Sequence, residues 1–152
     1  DYTEWYRLQS PSYLSRFFMM LGLKETLWSL NDFTQLLHEV TQQREGMGYR
    51  MKHDMVIYPR PGSEFILIGP LFGAYHSLVR IVMELVGQKI IDQSGKIIKP
   101  DTYLVSLGNV VDSSPMNLET LTLMLFLMKA NPDKVIYIAG DQESNNIWMG
   151  YG

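Results

Sequence analysis

Cysteine is absent from the 152-residue chain, which excludes a disulfide framework and any thiolate metal site. It leaves the compartment open, because cytosolic and exported proteins alike do without it. Charged residues are few, at 19%, and their balance is −3, so the basic stripe of a nucleic-acid binder is missing. Long apolar runs are missing too. Phe17 to Leu23 and Leu121 to Met128 are the longest candidates, and both fall short of the roughly 20 residues a membrane-spanning helix needs. Arg16 before Phe17–Leu21 imitates a secretory signal, but Asp1 and Glu4 precede it and no small-residue cleavage site follows, so that reading fails.

What is present is an ordinary globular composition, 46% hydrophobic, long enough for one domain with a real core. The chain begins without Met and stops after Gly150-Tyr151-Gly152; the expectation is a piece of a longer polypeptide. Two parts are expected, residues 1–53 and residues 54–152. In the first, Leu14, Phe17, Phe18, Leu21 and then Leu27, Leu30, Phe33, Leu36, Leu37 and Val40 recur at three- and four-residue steps, the spacing of an amphipathic helix. Gly22 ends or bends one helix, Asn31 or Asp32 caps another from near Phe33, and Gly46 and Gly48 close it.

The second part predicts strands and helices in alternation. Met55–Tyr58 is a short strand stopped by Pro59-Arg60-Pro61-Gly62. Phe65–Ile68, Thr102–Leu107 and Val135–Ile138 are nearly continuous apolar runs, each followed by a glycine at 69, 108 and 140. Leu78–Val86 and Leu118–Lys129 have helical character, and Ile90-Ile91 with Ile97-Ile98 forms a small hairpin turning at Ser94-Gly95. The order strand–helix–strand–helix–strand predicts an α/β fold with a parallel sheet covered on both faces, preceded by an N-terminal helical segment. In such sheets, sites form at the carboxyl ends of the strands. Function is therefore sought in three loops: Gly69-Pro70-Leu71-Phe72-Gly73, Gly108-Asn109-Val110-Val111-Asp112-Ser113-Ser114-Pro115, and Gly140-Asp141-Gln142-Glu143-Ser144.

In order, placement and spacing, these loops resemble the signatures G-D-x-H-G, G-D-x-x-D-R-G and G-N-H-E of calcineurin-like metallophosphoesterases, specifically the serine/threonine protein phosphatases. The flanks are similar too. Residues 112–121, D-S-S-P-M-N-L-E-T-L, resemble D-R-G-P-x-S-L-E-T-L, and residues 131–144, N-P-D-K-V-I-Y-I-A-G-D-Q-E-S, resemble x-P-D-K-V-x-x-L-R-G-N-H-E-S. The resemblance covers residues 65–152 and implies the N-terminal half of that fold.

What it implies for the chemistry is loss. The family's reaction uses two metal ions bridged by a carboxylate, with a metal-held hydroxide as nucleophile. Here Pro70 and Phe72 stand where the first loop's Asp and His are expected, and neither carries a lone pair for a cation. Asn109 replaces the bridging Asp, Asp141 the Asn, and Gln142 the His that acts as general acid. Ser113 replaces an Arg that grips phosphate, and Ala139 stands where another Arg is common. Asp112 and Glu143 are retained as supporting residues with nothing left to support. Loss of an acid group alone costs about 10²–10⁴ in rate, and loss of the metal removes the nucleophile.

The leading expectation is thus a catalytically inactive phosphatase-like protein, a pseudophosphatase, acting by binding or scaffolding, with no cofactor. The alternative is a divergent metal-dependent phosphoesterase, completed by a further C-terminal half or a second chain. It would hold Mn, Mg or Fe/Zn on a site rebuilt from Asn109, Asp112, Asp141 and Glu143, the first three being the weak ligand candidates. A third, purely structural reading has the sheet covered by self-association or by the missing half. The expected partners are a protein, a second copy or that half; no nucleic acid and no membrane span are expected. His76, His38 and His53 are read as surface residues, Met124–Met128 as core, and a serine hydrolase at Ser113-Ser114 is dismissed for want of a catalytic elbow and a His partner.

Overall fold

A computed structural model of the chain describes residues 30–48, 57–112 and 114–143. Helix α1 spans Leu30–Gly46. Its apolar stripe is narrower than the sequence pattern implied: Leu36 and Val40 are buried and Phe33 packs against the core, whereas Leu37 is exposed. Asn31 and Asp32 lie inside its first turn rather than capping it. Asp32 still favours the start, because a carboxylate there meets the positive end of the helix dipole. The helix stops at Gly46, and Gly48 at φ 88° turns the chain away. The stripe residues Leu14 to Leu27 lie outside the described residues.

The predicted strand at Met55–Tyr58 is not formed where it is described. Ile57 and Tyr58 have no strand structure, and Tyr58 is almost fully exposed. Pro59 and Pro61 supply no backbone N–H to a ladder, and Gly62 at φ 88° begins a fresh turn. Met55 and Val56 lie outside the described residues.

Three strands follow: β1 Glu64–Ile68, β2 Thr102–Ser106 and β3 Val135–Tyr137. They form a parallel sheet in the order β1-β2-β3, with Ile68 opposite Ser106 and Ser106 opposite Tyr137. The two crossovers carry helix α2, Tyr75–Gly87, and helix α3, Asn117–Ala130. Helix α2 starts three residues before the apolar spacing suggested. Tyr75 is itself buried, in line with Leu78, Val82 and Leu85. The hairpin at residues 90–98 shrinks to a single antiparallel bridge between Ile91 and Ile97. Its turn is held by the Asp92 carboxylate, which accepts the amides of Ser94 and Lys96.

Ile68, Leu104 and Val135 face the helices and are almost wholly buried with Leu78, Val82, Leu123, Met124 and Leu127. Met124–Met128 is core, because α3 is covered by the sheet on one side and by α1 on the other. Helix α1 is tied there by Lys129 to Glu39 (2.5 Å) and by Arg44 Nη2 donating to the Val135 carbonyl (2.8 Å). The opposite sheet face is less covered than the expectation of cover on both sides: Val105 on the central strand is buried there, but the edge strand β1 is not. Leu67 is 62% exposed and Phe65, stacked on Tyr103, is 43% exposed. Among the described residues the helices lie against one face. No helix among the described residues is long and apolar enough to cross a membrane.

Candidate functional site

The parallel order brings the three strand ends side by side, so the three loops meet. Loop one joins loop two through the main chain. The amides of Leu71 and Phe72 donate to the Asn109 carbonyl (3.0 and 2.8 Å), and that of Gly73 donates to the Val110 carbonyl (2.8 Å). Gly73, at φ 71°, leaves no room for a side chain, because a methyl group there would collide with Ser114 and Asn117. Ser114 Oγ donates to the Gly73 carbonyl (3.0 Å), and the Asn117 side chain brackets Asp112 by accepting its amide (3.0 Å) and donating to its carbonyl.

Loop two joins loop three through one carboxylate. Glu143 Oε2 accepts the amides of Asn109 (2.9 Å) and Gly140 (2.7 Å). Its Oε1 accepts the Val110 amide (2.7 Å) and the Tyr137 hydroxyl (3.0 Å). Burial pushes the Glu143 carboxyl up, but the amide donors of Val110, Asn109 and Gly140 and the Tyr137 hydroxyl outweigh it. The carboxyl is held below the usual carboxylate range. The Tyr137 hydroxyl is pushed well above the ordinary phenol range, first by burial and then by the charge of Glu143. Gly108 and Gly140 make the approach possible. A methyl group on Gly108 would lie 2.5 Å from the Gly140 nitrogen, and one on Gly140 would collide with Asn109 Oδ1.

Of the residues singled out by sequence, Asn109, Asp141, Gln142 and Glu143 are brought together. Asn109 Oδ1 and Asp141 Oδ1 both accept the Gln142 amide, at 3.2 and 3.1 Å, so the exchanged Asn/Asp pair of loops two and three shares one donor. Asp141 is exposed; Asn109, Asp112, Gln142 and Glu143 are half-buried. Pro70 is exposed, and Phe72 is 47% exposed at φ 49°, a left-handed conformation uncommon for a bulky residue. Ser113 and Ser144 lie outside the described residues. Among the described residues no group of three or more His, Asp or Glu side chains is arranged to hold a metal ion. His38 is exposed as expected, while His76 is only partly exposed, half-buried against the Tyr75 ring. His53 lies outside the described residues. Sequence reasoning missed Tyr137 and Asn117. Neither bears on the motif's metal chemistry, and their partners here are a side chain and a main-chain segment brought in by folding.

A parallel α/β sheet with its strand-end loops gathered into one cluster is the layout of a phosphoesterase core, present in part. The comparisons point to the same class. Over 90 residues the chain is 31% identical to the PP2A-like serine/threonine-protein phosphatase PPG1 of Candida albicans, covering 59% of this chain and 19% of that protein. It is 38% identical over 53 residues to the serine/threonine-protein phosphatase ppe1 of Schizosaccharomyces pombe, covering 35% and 17%. It is 46% identical over 48 residues to the serine/threonine-protein phosphatase sitA of Aspergillus fumigatus, covering 32% and 12%. The match thus spans about a fifth or less of these relatives. No family model matches the chain. The resemblance read from the loops agrees with these matches: over part of its length this chain is similar to PP2A-like serine/threonine phosphatases.

Proposed function

We propose that the chain is a catalytically inactive relative of the serine/threonine phosphatases that works by binding or scaffolding a protein. The observation that carries this reading is the use of oxygen lone pairs at the loop cluster. Both Glu143 oxygens are taken by four protein donors, and Asn109 Oδ1 accepts the Gln142 amide. Pro70 and Phe72 add none. A neutral amide at position 109 does not hold two dications as a carboxylate does. These donors do not fit a pair of divalent ions, and no hydrolytic step is derived through one. The loops keep the strand-end placement of the resembled motifs but leave few oxygen lone pairs for a cation, which supports binding rather than turnover of a phosphate ester.

The test is phosphatase activity of the full chain on a phosphopeptide with Mn²⁺ or Mg²⁺ added. The expected outcome is no turnover above the metal-only blank. Metal-dependent turnover that Asp112→Ala abolishes would overturn the proposal. One observation favours a second reading, a divergent metal-dependent phosphoesterase completed by further protein: Asp141 is exposed and its Oδ1 converges with Asn109 Oδ1 on one amide. Calorimetric titration with Mn²⁺ separates the two, because that reading requires binding that Asp141→Ala removes.

A further inference from the structure

Gly108 at φ 87° and Asn109 at φ 50° are consecutive left-handed residues. That backbone turns the next two amides, those of Asn109 and Val110, toward a common point. Backbone N–H groups that converge on one carboxylate make a concave, nest-like site that favours an anion. The Gly140 amide comes in from loop three and the Tyr137 hydroxyl from the end of β3, so four donors drawn from three segments surround one spot. A carboxylate offers about four acceptor directions, and Glu143 has one donor on each. Charge-assisted bonds of this kind are about twice as strong as neutral ones.

We propose that this nest is a carboxylate-binding site whose resident ligand is the chain's own Glu143, and that a small free carboxylate occupies it once that side chain is removed. The site is internal to the fold. It keeps loops two and three closed on each other and stays shut to outside anions while Glu143 is in place. The inference holds whether or not the chain hydrolyses anything.

The experiment compares melting of the full chain and its Glu143→Ala and Glu143→Gln variants in sodium formate and in sodium chloride of equal ionic strength. Glu143→Ala is expected to melt about 5 °C or more below the parent. Formate on the order of 100 mM should restore at least half of that loss relative to chloride, as for any ligand that binds the folded form. The parent should melt alike in the two salts. Glu143→Gln should be destabilised and not rescued, because its amide fills the cavity while turning an N–H₂ toward N–H donors. Equal melting of Glu143→Ala and the parent, or equal effects of formate and chloride on Glu143→Ala, would overturn the proposal. If Glu143→Ala does not fold, amide exchange in the parent decides. The proposal requires the Asn109, Val110 and Gly140 amides to be protected, and it fails if they exchange as fast as the exposed Gly62.

Discussion

At the residue scale, a single carboxylate organises the loop cluster, and its charge state matters. The carboxyl of Glu143 is depressed in the folded chain, so its contribution to stability is complete above the unfolded value, about 4.3. It is lost as the pH falls through the lower folded value. The gap in melting temperature between the parent and Glu143→Gln should therefore be widest near neutrality and narrow as the pH falls below the unfolded value and through the lower folded one, read by thermal melts across that range. Gly108 makes the complementary case. Gly108→Ala forces a side chain into a left-handed backbone and against the Gly140 nitrogen. A loss of about 2–3 kcal/mol is expected from strain of this kind, measured by denaturant unfolding. The sequence showed Glu143 as a conventional motif residue; it could not show that its partners are main-chain amides. An amide carries no residue identity, and its direction is set by φ angles that composition does not reveal.

At the scale of elements, helix α3 explains why its sequence is apolar on every side. It runs between the sheet and α1, so Leu123, Met124, Leu125 and Leu127 are all buried. Met124→Ala should cost about 2–5 kcal/mol, as core truncations do, again by denaturant unfolding. Asn131 closes that helix and holds the neighbouring turn. Its Oδ1 accepts the Ile97 amide (2.7 Å), and its Nδ2 donates to the carbonyls of Gly95 (2.8 Å) and Leu127 (3.0 Å). Asn131→Ala would strand these buried groups at a cost of about 1–3 kcal/mol. Loss of amide protection at Ile97 would report it. The three sheet strands and both crossover helices were legible from apolar runs and helical spacing, to within a residue or two except for the start of α2. At Ile57 and Tyr58, the described part of the expected Met55–Tyr58 strand, no strand forms, because an apolar tetrapeptide has no pairing partner written into it. Nothing in the sequence signalled what Asn131 holds, since its partners are main-chain groups up to 36 residues away.

At the scale of the whole molecule, the sheet has two unequal faces, and neighbouring residues tell them apart. Ile68 is 2% exposed toward the helices, while Leu67, one residue earlier, is 62% exposed on the other side. Leu67→Ser should change stability by no more than about 0.5 kcal/mol. Ile68→Ser should cost about 3 kcal/mol or more, because it opens a cavity and buries a hydroxyl. Paired unfolding curves check both. Continuous apolar strands suggested cover on both faces, since the pattern reports that a residue is apolar and not what lies over it.

Loops one and two are stitched by peptide groups, from Leu71, Phe72 and Gly73 to the carbonyls of Asn109 and Val110, while Pro70 is exposed and Phe72 about half exposed. The frame is therefore indifferent to what those two positions carry. Histidine tolerates the left-handed backbone at position 72 better than phenylalanine does. Introducing the Asp and His of the resembled first-loop signature with Pro70→Asp and Phe72→His is then a graft onto standing architecture, in which chemistry is exchanged like a tool head while the handle keeps its shape.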